Sequence, residues 1–263
     1  MSTTYYLDTT IQLSKLFAPS AIRHTIQQRI KEHHCVVASY ARMEYLRWLE
    51  PSVTVHQLLQ EEIERNRTTA LSEVQARILL AHGRNQNKML SILTWLLRVY
   101  SPDARMILVY LKTLIEYEFH TAFAQGVEQL PDLIACPLMD LYAVPQSSGY
   151  RLEPNLAYRR GAMPCHIIDF LQVHRNALQE LAVALREAYP SIAEACQRVL
   201  KNPTDAQGNT CKTLGDVIIA LQIPTDAILW TTDASFDLIC PVLGIAHVRE
   251  RLTADVNKKS KNT

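Results

Sequence analysis

Acidic residues stand at four places where a fold can gather them. Asp8 ends the β-prone run Thr4-Tyr5-Tyr6-Leu7, and Asp233 ends Ile228-Leu229-Trp230-Thr231-Thr232. Glu44 falls about one turn into the helical stretch after His34-Cys35-Val36-Val37-Ala38, and Asp216 opens the helix that follows Thr213-Leu214-Gly215. In an open parallel sheet, functional groups collect beyond the carboxyl ends of the strands, so strand-ending carboxylates can share one crevice. Oxygen ligands of this type suit a hard cation, Mg²⁺ or Mn²⁺, which keeps several waters and also binds phosphates. Like charges packed within a few ångströms repel, so such a cluster is costly without a cation. Taken singly, each acid has a plainer role. Asp8 and Asp233 suit helix N-caps, Asp216 stands relative to Thr213 much as in a capping box, and Glu44 can pair with Arg42 or Arg47. The order strand-Asp, helix-Glu, helix-Asp, strand-Asp is what points to a cation site.

The elements that must hold these acids lie at the two ends of the chain. The first part alternates between short β-prone runs (Thr4 to Leu7, His34 to Ala38) and helical stretches (Ile11 to Phe17, Ile22 to Lys31, Tyr40 to Leu49), until Pro51. From Ser52 to about Arg198 the pattern is mostly long helices. Met89 to Tyr100 is apolar nearly all round and so predicts a buried helix. Ser101-Pro102 predicts an N-cap and first-turn proline for a helix over Ala104 to Phe119. The prolines and Gly149 and Gly161 between Pro131 and Pro164 predict an extended loop or covering segment. After helices over His166 to Glu187 and Ser191 to Leu200, the α/β pattern returns: the helix carrying Val217 to Leu221, a strand over Ala227 to Thr231, a short helix over Ser235 to Cys240 and a last strand over Ile245 to Val248.

Read together, Tyr5-Tyr6-Leu7-Asp8-Thr9, Ser39-Tyr40-Ala41-Arg42-Met43-Glu44-Tyr45-Leu46, Asp216-Val217-Ile218-Ile219-Ala220 and Leu229-Trp230-Thr231-Thr232-Asp233-Ala234-Ser235-Phe236 resemble the PIN-domain family. Its T-x-D-x-x-F signature is similar to Thr231, Asp233 and Phe236. The resemblance implies a Rossmann-like, three-layer PIN-like α/β fold around a parallel sheet, and a metal-dependent ribonuclease that leaves a 5′-phosphate and a 3′-hydroxyl. It implies Asp8, Glu44, Asp216 and Asp233 as the acids that hold Mg²⁺ or Mn²⁺. Many members carry a further acid where Ser235 stands, and Asp237 is the nearest residue to stand in for it as a metal ligand. The resemblance covers roughly residues 1 to 50 and 205 to 250. The expected organisation is a discontinuous core over 1–51 and 205–252, a long all-helical insertion over 52–204, and a disordered tail over 253–263.

Other chemistry-bearing groups lack the partners that the four acids have. Glu116 and His120 have the i, i+4 spacing of helix-borne metal ligands, but no third ligand accompanies them. Cys165-His166 lacks a partner for nucleophilic catalysis. Arg151, Arg159 and Arg160 interleave with Tyr150 and Tyr158, a mixture suited to the phosphates and unstacked bases of single-stranded RNA. Arg159 and Arg160, with Thr231 and Ser235, are the substrate-binding candidates.

Composition bounds the alternatives. A formal net charge of +1 over 263 residues excludes a globally basic nucleic-acid coat, and 48% hydrophobic residues exclude wholesale disorder. The cysteines form no CxxC pair, which fits reduced thiols in a cytoplasm. No apolar run is long enough to span a membrane, and no signal peptide is expected. The expectation is therefore a cytoplasmic hydrolase, a PIN-like nuclease acting on RNA, with room for a protein regulator or an oligomer. The rival is a non-catalytic PIN-fold scaffold that binds RNA or a protein through its insertion.

Overall fold

The computed structural model describes residues 3–65, 69–81, 85–99, 103–131, 134, 141–147, 149–154, 166–206 and 208–250. The chain forms two compact units: Met1–Ala41, Gly126–Cys136 and Cys165–Thr263 make the first, Arg42–Gln125 and Pro137–Pro164 the second. It begins with β1 (Thr4–Leu7), α1 (Thr9–Phe17), α2 (Ser20–Glu32), β2 (His34–Val37) and α3 (Ser39–Leu46). There follow α4 (Leu49–Arg65), α5 (Ala70–Leu80), α6 (Gln86–Val99), α7 (Ala104–Thr113), a π-helical turn over Leu114–Glu118 and α8 (Phe119–Ala124). Next come β3 (Glu128–Gln129) and the hairpin strands β4 (Leu141–Gln146) and β5 (Gly149–Pro154). The last part holds α9 (Ile167–Val173), α10 (Arg175–Ala184), α11 (Pro190–Lys201), α12 (Gly208–Thr213), α13 (Gly215–Leu221), β6 (Ala227–Thr231), α14 (Phe236–Val242) and β7 (His247–Arg249).

The first unit is α/β, built on a five-stranded sheet in the order β3-β2-β1-β6-β7 with every pairing parallel. Central β1 pairs Tyr5 with Cys35 of β2 on one side and with Ile228 of β6 on the other. Side chains alternate across a strand, so Tyr5 and Leu7, with Cys35 and Trp230, point to one face. There they meet Ile11 of α1 and Ile22, Ile26 and Ile30 of α2 in one apolar cluster. Tyr6, Val36 and Leu229 take the alternate positions and are equally buried, so both faces are covered, as a parallel sheet requires. Among the described residues, no helix is long and apolar enough to cross a membrane.

The division of the chain differs from the sequence expectation. The second unit starts at Arg42, within α3, and the segments from Gly126 to Cys136 and from Cys165 onward belong with the sheet. An uninterrupted insertion over 52–204 is therefore not observed. The reason lies in β3: two exposed residues carry no alternation to read, yet they pair with Val36 and Val37 of β2. Leu130 N–H also donates to the Val37 carbonyl at 2.9 Å, and His34 Nε2 contacts Glu128 at 2.8 Å.

The second unit is not all-helical either, because β4 and β5 form an antiparallel hairpin within it. The central helix is α4, against which α5, α6, α7 and the hairpin pack. Tyr45 fills its core edge-on to Phe119, at 5.7 Å between ring centroids. Helix α6 buries Met89, Ile92, Leu93, Trp95 and Leu96 but leaves Leu97 and Val99 exposed, so it is amphipathic rather than buried all round. Asp103, and not the expected Ser101, caps α7 by accepting from the Arg105 and Met106 N–H groups; Ser101 and Pro102 lie outside the described residues.

Gly126 and Gly244 share a left-handed backbone, φ +71° and +67°, but only Gly126 is crowded: a Cβ there would stand 2.7 Å from Ile30 Cγ2. The backbone strain of alanine in this region is about 1–2 kcal/mol at either site. Gly126→Ala should lose more than Gly244→Ala, because Ile30 must also shift within the core and β3 follows directly. Chemical denaturation of both variants checks this; equal losses would show that the approach to Ile30 costs nothing.

Candidate functional site

Strand β1 has one neighbour reached through α1 and α2 and the other reached from the far end of the chain, so the connections leave β1 in opposite directions. Such a switch point opens a crevice beyond the carboxyl ends of the two strands. Asp8 follows β1, and Asp233 follows β6 by two residues. The Asp8 N–H donates to the Trp230 carbonyl at 3.0 Å, which keeps the two strand ends together.

A continuous hydrogen-bonded chain links three of the four expected acids. Asp8 Oδ2 accepts from Thr10 Oγ1 at 2.7 Å and from Thr231 Oγ1 at 2.7 Å. Thr231 Oγ1 accepts from the Asp233 N–H at 2.9 Å, and Asp233 Oδ1 accepts from the Ser235 N–H at 2.8 Å. Ser235 Oγ donates to Asp216 Oδ2 at 2.7 Å. The plain and the chemical roles of Asp8 are held at once, since it is also the N-cap of α1 and accepts from the Thr9 N–H at 2.6 Å. Thr213 is no cap for Asp216: its hydroxyl donates to the Asn209 carbonyl within α12, and α13 starts without a side-chain cap.

Electrostatics sets Asp8 and Asp216 apart from ordinary surface carboxylates. Burial pushes Asp8 above its usual range, while the hydrogen bonds from Thr10, Thr231 and the backbone pull the other way. Asp216 is pushed up to about 6, first by burial and then by the neighbouring charges of Asp233 and Asp8, against the Ser235 hydrogen bond. Among the described residues, no three His, Cys, Asp or Glu side chains form a ready-made metal-binding group. The donor chemistry nonetheless fits a hard cation: Asp216 Oδ1 and Asp233 Oδ2 accept no protein hydrogen bond among the described residues, and Asp8 Oδ1 accepts only one.

The remaining expected site residues are placed as follows. Glu44 lies on α3 within the second unit, 4.0 Å from Arg47 Nη1. Asp237, the expected substitute ligand, is instead engaged by β7: its carboxylate meets His247 Nε2 at 3.2 Å and Arg249 Nη1 at 3.1 Å. Arg159 and Arg160 lie outside the described residues. Tyr150 is not an open platform for a base; it is buried, donates to Glu116 at 2.8 Å and packs edge-on to His56. Arg151 pairs with Glu153. Glu116, expected at ligand spacing from His120, accepts the Tyr150 hydroxyl. His120 stacks on Tyr142, with ring centroids 4.7 Å apart.

Thr10 is the site residue that sequence reasoning missed. A signal was there: hydroxyl residues directly after a strand-ending Asp readily hydrogen-bond to it in an N-cap turn.

The elevated Asp216 carboxyl has a consequence for stability. An unfolded chain ionises it near 3.8 and the folded chain near 6, so within that window the folded state holds the extra proton. Stability contributed by this group therefore falls as pH rises through the window and stays lost above it. In chelator-treated protein, Asp216→Asn should be more stable than wild type at neutral pH by on the order of 1–3 kcal/mol, the gain closing below about pH 4. Urea titrations at several pH values test this; a gain independent of pH would show that ionisation is not its source.

Compared with known proteins, the chain matches no family model, no curated protein and no solved structure, so function must be read from the three linked carboxylates themselves.

Proposed function

We propose that this chain is a PIN-like ribonuclease that hydrolyses RNA phosphodiester bonds with the help of Mg²⁺ or Mn²⁺. The observation that carries the reading is the joining of Asp8, Asp233 and Asp216 through Thr231 and Ser235 at the switch point of a parallel sheet. Asp233 and Asp8 add to the raised proton affinity of Asp216, a charge burden that a cation would relieve. Asp8, Asp216 and Asp233 would hold the ion. When bound, it would supply Lewis-acid activation of water and charge neutralisation at the phosphodiester. Asp237 is left out of this set by its pairing with His247 and Arg249.

The chain's own groups have separable tasks in this reading. Thr231 orients Asp8 and, through its oxygen, the backbone of Asp233. Ser235 spaces Asp233 from Asp216 while giving each a hydrogen bond. Arg159 and Arg160 would contact RNA phosphates and so set affinity rather than bond-breaking.

Isothermal calorimetry with Mn²⁺, paired with cleavage of a single-stranded RNA oligomer, tests the proposal. Wild type should bind Mn²⁺ and cleave only in its presence. Asp233→Asn and Asp216→Asn should each lower the cleavage rate ~100-fold or more, since Lewis-acid stabilisation is worth several kcal/mol. Absence of both Mn²⁺ binding and cleavage in folded wild type would sink the nuclease and leave the RNA- or protein-binding scaffold.

A further inference from the structure

The two hydroxyls that reach Asp8 have the same hydrogen-bonding logic. Thr231 Oγ1 accepts the Asp233 N–H at 2.9 Å, and Thr10 Oγ1 accepts the Thr232 N–H at 3.1 Å. A threonine hydroxyl has a single hydrogen. With an N–H donor on its acceptor side, each hydroxyl sends that hydrogen to its other neighbour, and in both cases this is Asp8 Oδ2, at 2.7 Å. Oδ2 thus has both lone pairs taken by hydroxyls, one from the start of α1 and one from the end of β6. Oδ1 accepts only the Thr9 N–H at 2.6 Å and keeps one lone pair open.

We infer that Thr10 is a positioning residue: it closes Asp8 Oδ2 together with Thr231 and thereby presents Oδ1 as the one oxygen of this carboxylate available to a cation. The assignment rests on the proposed metal-dependent reading for its use, but on the hydrogen bonds alone for its geometry. Removing either hydroxyl has three effects. It frees a lone pair on Oδ2, and it releases the hold on carboxylate rotation, so that either oxygen can turn outward. It also orphans a backbone N–H in the turn that carries Asp233, which ties the orientation of one acid to that of another. Thr10 is therefore no mere helix-start residue, although Thr10 N–H also reaches Oδ2 at 3.4 Å as an ordinary N-cap contact. Serine preserves the hydroxyl; valine preserves the shape without it.

The test combines a metal-free and a metal-dependent readout. In wild type without metal, the Thr10 hydroxyl proton should appear by NMR as a slowly exchanging resonance coupled across its hydrogen bond to the Asp8 carboxyl carbon. A Thr10 hydroxyl that exchanges as fast as those of exposed threonines overturns the assignment, whether or not any variant folds. Crystal structures should show the Asp8 carboxylate turned in Thr10→Val and unchanged in Thr10→Ser; an unmoved carboxylate in the valine variant overturns it too. With Mn²⁺ as the probe, calorimetry should show about 10-fold or greater loss of affinity for Thr10→Val, as for other residues that orient ligands, and recovery in Thr10→Ser. Equal Mn²⁺ affinity in all three proteins would refute the positioning role. If wild type takes up no Mn²⁺, the nuclease reading fails by itself, and the hydroxyl resonance and the crystal structures decide the place of Thr10.

Discussion

Asp8 is a carboxylate taken almost wholly out of water, and the first unit is arranged around satisfying it. A buried acid without donors costs several kcal/mol, whereas hydrogen bonds to its charged form offset much of that cost. Its donors come from places far apart in the chain: Thr9 and Thr10 from the start of α1, and Thr231 from the end of β6. Meeting the acid's needs therefore fixes how β1 and β6 end relative to each other. The same hydroxyls anchor the backbone of Thr232 and Asp233, so the turn after β6 cannot relax without exposing Asp8 to unpaired burial. Site and fold share these bonds, and neither can be altered alone.

The second unit solves a comparable problem with different groups. A two-stranded hairpin has little stability by itself, and β4 leaves most of its side chains at least partly exposed. What holds the hairpin is β5, through Tyr150. Its hydroxyl donates to Glu116 in the π turn, its carbonyl accepts from Gln57 Nε2 at 3.4 Å, and its ring packs on His56. Gly149 lets the turn settle on Gln57: its φ is +88°, and a Cβ would come within 3.0 Å of the Gln57 side chain. Burial holds His56 below its ordinary pKa, so the ring meets Tyr150 in its neutral form at neutral pH. A tyrosine that looked suited to stacking on a base is thus used up in joining three elements of one unit.

What the sequence revealed depended on whether a segment's own residues decide its state. Strands β1 and β6 were legible to the residue, because Tyr5-Tyr6-Leu7 and Ile228-Leu229-Trp230 are apolar runs bounded by polar or acidic residues, as strands buried on both faces should be. The acids at their ends were legible for the same reason, since topology places strand ends together. Strand β3 was not, because Glu128 and Gln129 become a strand only by pairing with β2. The hairpin was hidden by its prolines, although Ala143 opposite Leu152 and Pro145 opposite Tyr150 carry enough apolar character to pair. Helices α10 and α11 looked like part of an insertion, since amphipathic helices announce an apolar face but not the surface that will cover it. The ion pairs of Asp237 were not legible for a similar reason: its partners, His247 and Arg249, come from a strand whose pairing the sequence left open.

Ser235 shows how the site lowers its own electrostatic cost. The family resemblance would place an acid there, as a further oxygen ligand. The serine instead gives two hydrogen bonds, from its N–H to Asp233 and from its hydroxyl to Asp216. An aspartate could keep the first but not the second, because a carboxylate has no hydrogen to donate. It would also add a like charge beside Asp216, whose carboxyl is already pushed up to about 6 with Asp233 and Asp8 contributing. Serine therefore exchanges a ligand for a donor. Fewer anionic oxygens mean weaker attraction for a cation, but they also mean a metal-free fold that does not have to keep another ionised acid apart from its neighbours. In a site where Asp8 and Asp216 are both drawn toward their protonated forms by burial, that exchange is what lets the carboxylates stand in one hydrogen-bonded chain rather than repel one another out of it.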